Sequence, residues 1–170
     1  MQEHTDVLVG MEWVSEHLAD ASVRVVEVDE DAGLYRRSHI PGAIGLDWRR
    51  DLQAQATCDF LGPAQLAELL GARGISDEHT IVLYGDRDNW FAATTLWYLK
   101  YYGHDDVRLL DGDRDGWIAA GLPTTSEVPA YRTERFTASD GDARFSAAFD
   151  DGSHSGWGGF GDAVLDPAEH

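Results

Sequence analysis

A six-residue loop between a β-branched run and an aromatic-rich segment has the position and residue types that chemistry would require. It follows residues 80–84 and consists of Gly85, Asp86, Arg87, Asp88, Asn89 and Trp90. Where a strand leads through such a turn into a helix, backbone N–H groups converge at the helix N-terminus and favour an anion. Many α/β enzymes place a nucleophile at this turn. This loop contains no cysteine, serine or threonine, which raises the question of whether it does chemistry.

Two carboxylates, Asp86 and Asp88, determine what this loop can bind. Paired carboxylates support general acid–base chemistry, but the surrounding sequence supplies no partner acid or base. Each carboxylate would also repel an anion at the helix N-terminus, by about 1 kcal/mol or more at close range near a surface. We therefore predict a solvated loop that forms an empty pocket or a partner-facing surface, with no catalytic residue among its six positions.

The only cysteine, Cys58, lies well upstream of the loop in a connecting stretch. A single thiol excludes an intramolecular disulfide and a zinc site built from several thiolates. Asp59 beside it should raise the pKa of the thiol, and no cation adjoins it. We predict a bystander thiol, with a reactive cysteine as the alternative.

Two further groups contain residue types that bind metals or carry protons. Residues 111–116 read Asp-Gly-Asp-Arg-Asp-Gly, as at the start of an EF-hand loop, but the twelfth position is Leu122 instead of the bidentate glutamate. His39 has no second histidine spaced to join it as a ligand. We predict a solvated acidic turn for the first group and a turn-packing role for His39, and hence no metal and no cofactor.

The elements that would position these residues alternate between strand and helix patterns over roughly the first 130 residues. This βαβ pattern is typical of an α/β domain with helices packed on the faces of a sheet. The predicted strands are 23–28, 80–84 and 107–110, and the predicted helices are 11–18, 63–70, 90–102 and 115–123.

The predicted helix 90–102 is rich in aromatic residues, which are Trp90, Phe91, Trp97, Tyr98, Tyr101 and Tyr102. Most of these side chains are expected to face the core. Trp90 and Phe91 lie at the loop end of the helix, and the alternative for these two is a docking face.

Beyond Tyr131 the sequence becomes dense in Gly, Asp and Ser, with isolated aromatics and no sustained period. Such composition favours a linker or loose tail over a packed unit, although residues 143–149 could form a helical turn. We predict a domain over residues 6–126 and a linker-like tail over residues 127–170, with little contribution to the core beyond Tyr131.

Net charge is the strongest compositional signal, because 31 acidic residues stand against 13 basic ones among 170 residues, a net charge of -18. Only Lys100 is a lysine. The negative electrostatic field of such a chain repels nucleic acids and anionic lipid surfaces, so neither is an expected partner. A polar N-terminus and the absence of a long apolar run predict a cytoplasmic protein. The acid-rich, lysine-poor composition resembles that of halophilic proteins, and a GC-rich genome is the alternative source of the arginine bias.

Folding should depend on salt, because the charge of -18 must be screened for the compact state to persist. The expected result is a higher thermal midpoint in molar potassium chloride than at low ionic strength. A midpoint that salt leaves unchanged or lowers would contradict the halophilic interpretation.

Three separated segments resemble the rhodanese (thiosulfate sulfurtransferase) family. His39-Ile-Pro-Gly-Ala43 matches the family's H-I-P-G-A signature, and residues 81–104 resemble its strand, active loop and helix. The third segment resembles the closing motif L-x-G-G-x-x-x-W-x-x-x-G-x-P, with Asp111-Gly112-Asp113 where a double glycine is usual and with Trp117, Gly121 and Pro123 in register. The resemblance covers roughly residues 6–125 and implies a three-layer domain with a central, mainly parallel sheet.

The likeness is to the N-terminal, cysteine-lacking half of tandem two-domain rhodaneses. In the family a cysteine thiolate at the start of the loop takes the outer sulfur of a donor as a persulfide and passes it to an acceptor. The matching position here is Gly85, or Asp86 if the alignment slips by one. The resemblance thus implies a chain that is inactive alone or completed by a cysteine-bearing partner domain. The alternative is a non-catalytic binding or interaction module.

Overall fold

The computed structural model describes residues 7–31, 33–53 and 60–139. Over these residues five strands alternate with six helices, and a short 3-10 turn at Arg87–Asn89 precedes the fifth helix. The strands are β1 Leu8–Val9, β2 Val23–Asp29, β3 Ile44–Asp47, β4 Thr80–Tyr84 and β5 Val107–Leu110. The helices are α1 Met11–Glu16, α2 Gly33–Arg37, α3 Trp48–Asp51, α4 Pro63–Ala72, α5 Trp90–Tyr101 and α6 Arg114–Ala119.

The five strands form one parallel sheet in the order β1-β5-β4-β2-β3. Parallel sheets are covered on both faces, which explains the nearly continuous burial along β2 and β4. The register pairs Glu27 of β2 with Tyr84 of β4, so their side chains are neighbours. Because all carboxyl ends lie at one edge, the loops after β2, β4 and β5 meet there.

Two apolar cores lie on opposite faces of the sheet, which gives the three-layer arrangement expected for the fold. The larger core packs side chains of α4 and α5 on Val26 and Val28. The smaller core packs α1 and α6 on Val25 and Val82, with Trp117 as its largest fully buried side chain. The predicted α/β fold, with a central parallel sheet flanked by helices, is confirmed.

The aromatic residues of α5 divide between core and surface. Tyr98 and Tyr102 are buried, as predicted, and the Tyr98 ring stacks on Phe60 with ring centroids 3.9 Å apart. Trp90 is 46% exposed, so the core-facing interpretation does not extend to it. The alternative of a docking face therefore stays open for Trp90.

The segment 127–139 contains no helix or strand but packs on the domain. Phe136 is buried in the larger core, and the Glu134 N–H donates to the carbonyl of Gly71 at 2.8 Å. The Tyr131 hydroxyl donates to the carbonyl of Gly42 at 2.9 Å. The expectation of little core contribution beyond Tyr131 is thus wrong at Phe136, which is part of the larger core. Residues 140–170, including the predicted helical turn at 143–149, lie outside the described residues, and the division at 126 stays a prediction.

None of the helices in the three described ranges is long and apolar enough to cross a membrane.

Candidate functional site

The loop after β4 has an unusual backbone conformation. Three consecutive residues, Arg87, Asp88 and Asn89, have φ angles of 54°, 56° and 65°. The left-handed region costs an L-residue roughly 1–2 kcal/mol, and strained backbone of this kind concentrates at functional sites. The surrounding structure must therefore hold this loop in place.

The side chain of Asn89 provides one set of tethers. Its Oδ1 accepts the Gly85 N–H at 2.9 Å, and its Nδ2 donates to the carbonyls of Leu110 at 3.0 Å and Gly112 at 3.2 Å. Asn89 is 6% exposed, so these bonds form in a largely dry environment. They fix the loop to the carboxyl end of β5. The sequence predicts Asn89 as a loop residue but does not predict that it tethers the loop. The one available signal is its amide side chain, which can both donate and accept hydrogen bonds.

Asp86 ties the loop to the end of β2. Its carboxylate accepts the N–H groups of Glu30 at 3.0 Å and Asp31 at 3.2 Å, and its own N–H donates to Asp29 Oδ1 at 3.0 Å. Asp86 is also buried. The prediction of a solvated loop is therefore wrong at Asp86, whose charge is satisfied by backbone donors. It holds at Asp88, which is exposed.

Gly85 lies where β4 meets the backbone of β2. A Cβ atom at this position would lie 1.9 Å from the carbonyl oxygen of Val28. No real Cβ contact is that short, so a side chain at position 85 requires the strand to move. Of the two positions that the resemblance offers for a cysteine, Gly85 is thus excluded sterically, and Asp86 remains.

Beneath the loop lies a buried polar network. The Tyr84 hydroxyl donates to Glu27 Oε1 at 2.5 Å, and Arg114 Nη1 lies 3.2 Å from Glu27 Oε2. Arg114 also donates to the carbonyls of Ser38 at 2.6 Å and Leu34 at 3.0 Å. Glu27 is fully buried and Arg114 nearly so, and a buried charge is tolerated only with such partners. The network holds α6 and α2 against the sheet under the loop.

Two groups in this network have raised pKa values. Burial raises the pKa of Asp29 to about 10, and the neighbouring Glu27 carboxylate adds to the rise. Asp29 is therefore protonated at neutral pH. Its Oδ2 is buried and has no hydrogen-bond partner within the described ranges, an environment that favours the neutral acid over the carboxylate. Burial and the Glu27 charge also raise the pKa of Tyr84 well above its usual value.

The rim of the loop is charged and exposed. Glu30 forms ion pairs with Arg87 at 2.9 Å and with Arg49 at 2.7 Å. The two arginine side chains are 65% and 68% exposed, so these pairs contribute little to stability. Arg87 and Asp88 are thus the loop side chains that face solvent, together with Trp90.

The remaining sequence candidates lie away from the loop interior or outside the described residues. His39 is buried, stacks on Tyr35 at 3.9 Å, and places its Nε2 2.7 Å from the carbonyl of Glu127, which confirms its packing role. In the segment 111–116, Asp113 accepts the Gly116 N–H as the N-cap of α6. Among the described residues, no group of three or more His, Cys, Asp or Glu could hold a metal. Cys58 lies outside the described residues.

The loop is tethered to the ends of β2 and β5 through Asp86 and Asn89, and none of its six residues is a cysteine. Gly85 has no side chain, the Asp86 carboxylate is engaged by backbone donors, and Asn89 is occupied as a tether. The geometry can present N–H groups and exposed side chains to a neighbouring molecule.

Comparison with known proteins identifies one family and several curated relatives. The family model for the rhodanese-like domain matches residues 10–120. "Sulfur carrier protein TtuD" of Thermus thermophilus is 47% identical over 148 residues, which cover 87% of this chain and 52% of the relative. "Putative thiosulfate sulfurtransferase" of Haloferax volcanii is 46% identical over 138 residues, covering 78% and 48% respectively. The chain thus spans about half the length of these curated relatives.

Solved structures agree with this relationship. YnjE is similar with a TM-score of 0.65 and 31% identity, covering 81% of this chain and 34% of that chain. The 3-mercaptopyruvate sulfotransferase SseA from Escherichia coli has a TM-score of 0.70 at 22% identity, covering 84% of this chain and 62% of that chain. The second likeness supports the fold alone.

Proposed function

Since this chain belongs to the rhodanese-like family, we propose that it is a sulfurtransferase-related domain whose own loop does not carry sulfur. On this proposal the isolated chain is inactive, and a cysteine-bearing partner domain completes the enzyme. The observation that carries it is the loop itself, which keeps a strand-to-helix geometry but fills its cysteine-equivalent positions with a sterically required glycine and a tethered aspartate.

The chemistry that the loop lacks is specific. In the rhodanese reaction a cysteine thiolate attacks the outer sulfur of thiosulfate, the donor's S–S bond breaks, sulfite leaves and a persulfide forms. Cyanide then takes that sulfur and leaves as thiocyanate, which restores the thiolate. A carboxylate forms no persulfide, and the exposed charge of Asp88 disfavours a thiosulfate dianion beside it. The chain spans about half of its relatives, so the missing thiol is expected on a second domain.

The isolated chain should therefore form thiocyanate from thiosulfate and cyanide only at the background rate. The measurement is a cyanolysis assay on the purified chain, with the Haloferax volcanii relative assayed in parallel for comparison and Cys58→Ser as a matched variant. Thiocyanate above background that disappears in Cys58→Ser would make Cys58 the nucleophile and overturn the proposal.

A second candidate function is a non-catalytic binding module, and the exposed Trp90 beside the loop favours it. The two functions differ in what the chain does to a cysteine-bearing partner. A half-enzyme raises the partner's rate of thiocyanate formation, whereas a binding module associates without changing it. A cytoplasmic location and the absence of nucleic-acid and membrane partners belong to both proposals, and the net charge of -18 supports the absence of those partners.

A further inference from the structure

A pocket of about 250 Å³ lies beside β3, the edge strand at the opposite side of the sheet from β1. Four parts of the chain line it, which are Tyr35 of α2, Ile44 and Gly45 of β3, Ala72 and Arg73 at the end of α4, and residues 128–131. No residue of this lining belongs to the loop after β4. The pocket is therefore separate from the candidate site described above.

Two tyrosine rings form fixed walls of the pocket. The Tyr35 ring packs so closely on Gly45 that a Cβ atom at Gly45 would lie 2.7 Å from a ring carbon. The Tyr35 hydroxyl donates to the carbonyl of Ala43 at 2.6 Å, and the Tyr131 hydroxyl donates to the carbonyl of Gly42 at 2.9 Å. Because backbone carbonyls engage both hydroxyl protons, the two rings are held in place and offer a ligand mainly their carbon surface.

Arg73 supplies the polar group of the pocket. Among the described residues that line the pocket, it alone has a charged side chain. Its Nη1 donates to the carbonyl of Gly45 at 2.7 Å, which fixes the guanidinium against β3. Its Nη2 lies 3.6 Å from Asp51 Oδ1, which is longer than an N–H···O hydrogen bond. The Arg73 side chain is 32% exposed, so Nη2 can donate to a molecule in the pocket.

Asp51 neutralises the charge of Arg73 only in part. The Asp51 Oδ1 atom also lies 3.3 Å from Arg50 Nε, and its Oδ2 accepts the N–H of Asp47 at 2.8 Å. One carboxylate is thus shared by two guanidinium groups. Most acidic residues of the chain act weakly here, because charges beyond the Debye length of about 8 Å are screened at physiological ionic strength. The pocket therefore favours an anion, although the net charge of the chain is -18.

One guanidinium beside apolar walls selects a particular kind of anion. The planar N–H fork of arginine matches a carboxylate. A dianion such as phosphate would find one incompletely neutralised cation here, and it has no apolar part to place against Ile44 and Val128. Small-molecule sites are mostly apolar with a few polar groups that fix orientation, and those for drug-sized ligands occupy about 300–1,000 Å³. A pocket below that range admits only a small molecule.

We propose that this pocket binds a small organic monocarboxylate, with the carboxylate on Arg73 Nη2 and the hydrocarbon part against Ile44 and Val128. This binding is independent of the proposed function, because the pocket and the loop after β4 share no residue.

The test uses isobutyrate, a compact branched carboxylate, and isobutyramide, which has the same shape without the charge. Each is titrated into the isotope-labelled chain at constant potassium chloride, and the backbone amide chemical shifts are followed by NMR. Isobutyrate should cause saturable shifts at Gly45 and Ala130, which line the pocket. Isobutyramide should bind about tenfold more weakly, because a hydrogen bond between two charged groups is stronger than one to a neutral amide.

Two variants locate the binding. Arg73→Gln should weaken isobutyrate binding about tenfold, but it also removes the bond to the Gly45 carbonyl. Val128→Asp therefore provides a second variant that leaves the core intact, since Val128 is 68% exposed. Its carboxylate would repel the ligand and should weaken binding severalfold. Ile118→Asp is the matched control, because Ile118 is 44% exposed and lies outside the lining, and it should leave binding unchanged.

Shifts that do not saturate, equal binding of isobutyrate and isobutyramide, or full binding by Val128→Asp would each overturn the proposal. No step of this test measures sulfur transfer, so its outcome is separate from that of the cyanolysis assay.

Discussion

Replacing Gly85 by alanine should destabilise the isolated chain by about 4 kcal/mol or more, a loss found only where a substitution breaks a specific constraint. The added Cβ would lie 1.9 Å from the Val28 carbonyl oxygen and 2.9 Å from the Val28 carbonyl carbon. These are backbone atoms of β2, which pairs with β3 on one side and β4 on the other. Since the strand cannot shift without losing its register, the substitution forces two central strands apart. Urea unfolding of wild type and variant measures the difference.

Gly10→Ala is the matched control, because a Cβ at Gly10 meets no atom within 4 Å. Its expected change is below about 1 kcal/mol. Gly85 has no positive φ, so the loss at position 85 tests close approach and not backbone conformation. A Gly85→Ala variant within about 1 kcal/mol of wild type would contradict the packing of β4 on β2.

The same contact changes the meaning of a cysteine substitution at Gly85. From sequence, Gly85→Cys should restore little activity because Asp86 and Asp88 would raise the pKa of the new thiol. The structure gives an earlier reason, since the side chain has no space. The charge argument also weakens, because the Asp86 carboxylate is directed to backbone donors at the end of β2. Asp86 is therefore the position at which a cysteine tests the loop.

The parts of the fold that sequence could predict are those with a sustained local pattern. The predicted strands 80–84 and 107–110 match β4 and β5 residue for residue, because short, mostly apolar runs bounded by polar residues need no distant information. Sequence did not predict β1, α2, β3 or α3, which contain two, five, four and four residues. Elements that short have no readable period and depend on tertiary contacts.

The candidate site shows the same division. Sequence located the loop and its six residues, but the contacts that hold the loop join positions far apart in the chain. Asp86 and Glu30 are 56 residues apart, and Arg114 and Glu27 are 87 apart. The available signal was the pattern of β2, where Glu27 and Asp29 are acidic residues on one face of a valine-rich strand. Charged residues in a doubly buried strand indicate partners, although they do not identify them.

Asp29→Asn should stabilise the chain, and the gain should grow with pH. Asp29 has a pKa of about 10 in the folded chain against 3.8 as its ordinary value. Between these values the folded state binds one proton more than the unfolded state, so stability falls as pH rises, by up to about 1.4 kcal/mol per pH unit. Below the ordinary pKa both states are protonated and this loss disappears. Asparagine carries no such proton, so the gain at pH 7 should reach about 4 kcal/mol.

The amide can also replace both interactions of the protonated acid. Its Oδ1 can accept the Asp86 N–H that Asp29 accepts at 3.0 Å, and its Nδ2 can donate towards Glu27 where the acid has its proton.

His79 and His104 have lowered pKa values because of burial, and they reduce stability as pH falls below the unfolded histidine range. Both histidines are present in wild type and variant, so the difference in unfolding free energy isolates Asp29. Denaturant unfolding from pH 5 to pH 9 measures it, with the exposed Asp115→Asn as a control of constant small effect. A difference that does not change with pH would show that Asp29 is ionised in the folded protein, and that its Oδ2 faces Glu27 without a proton.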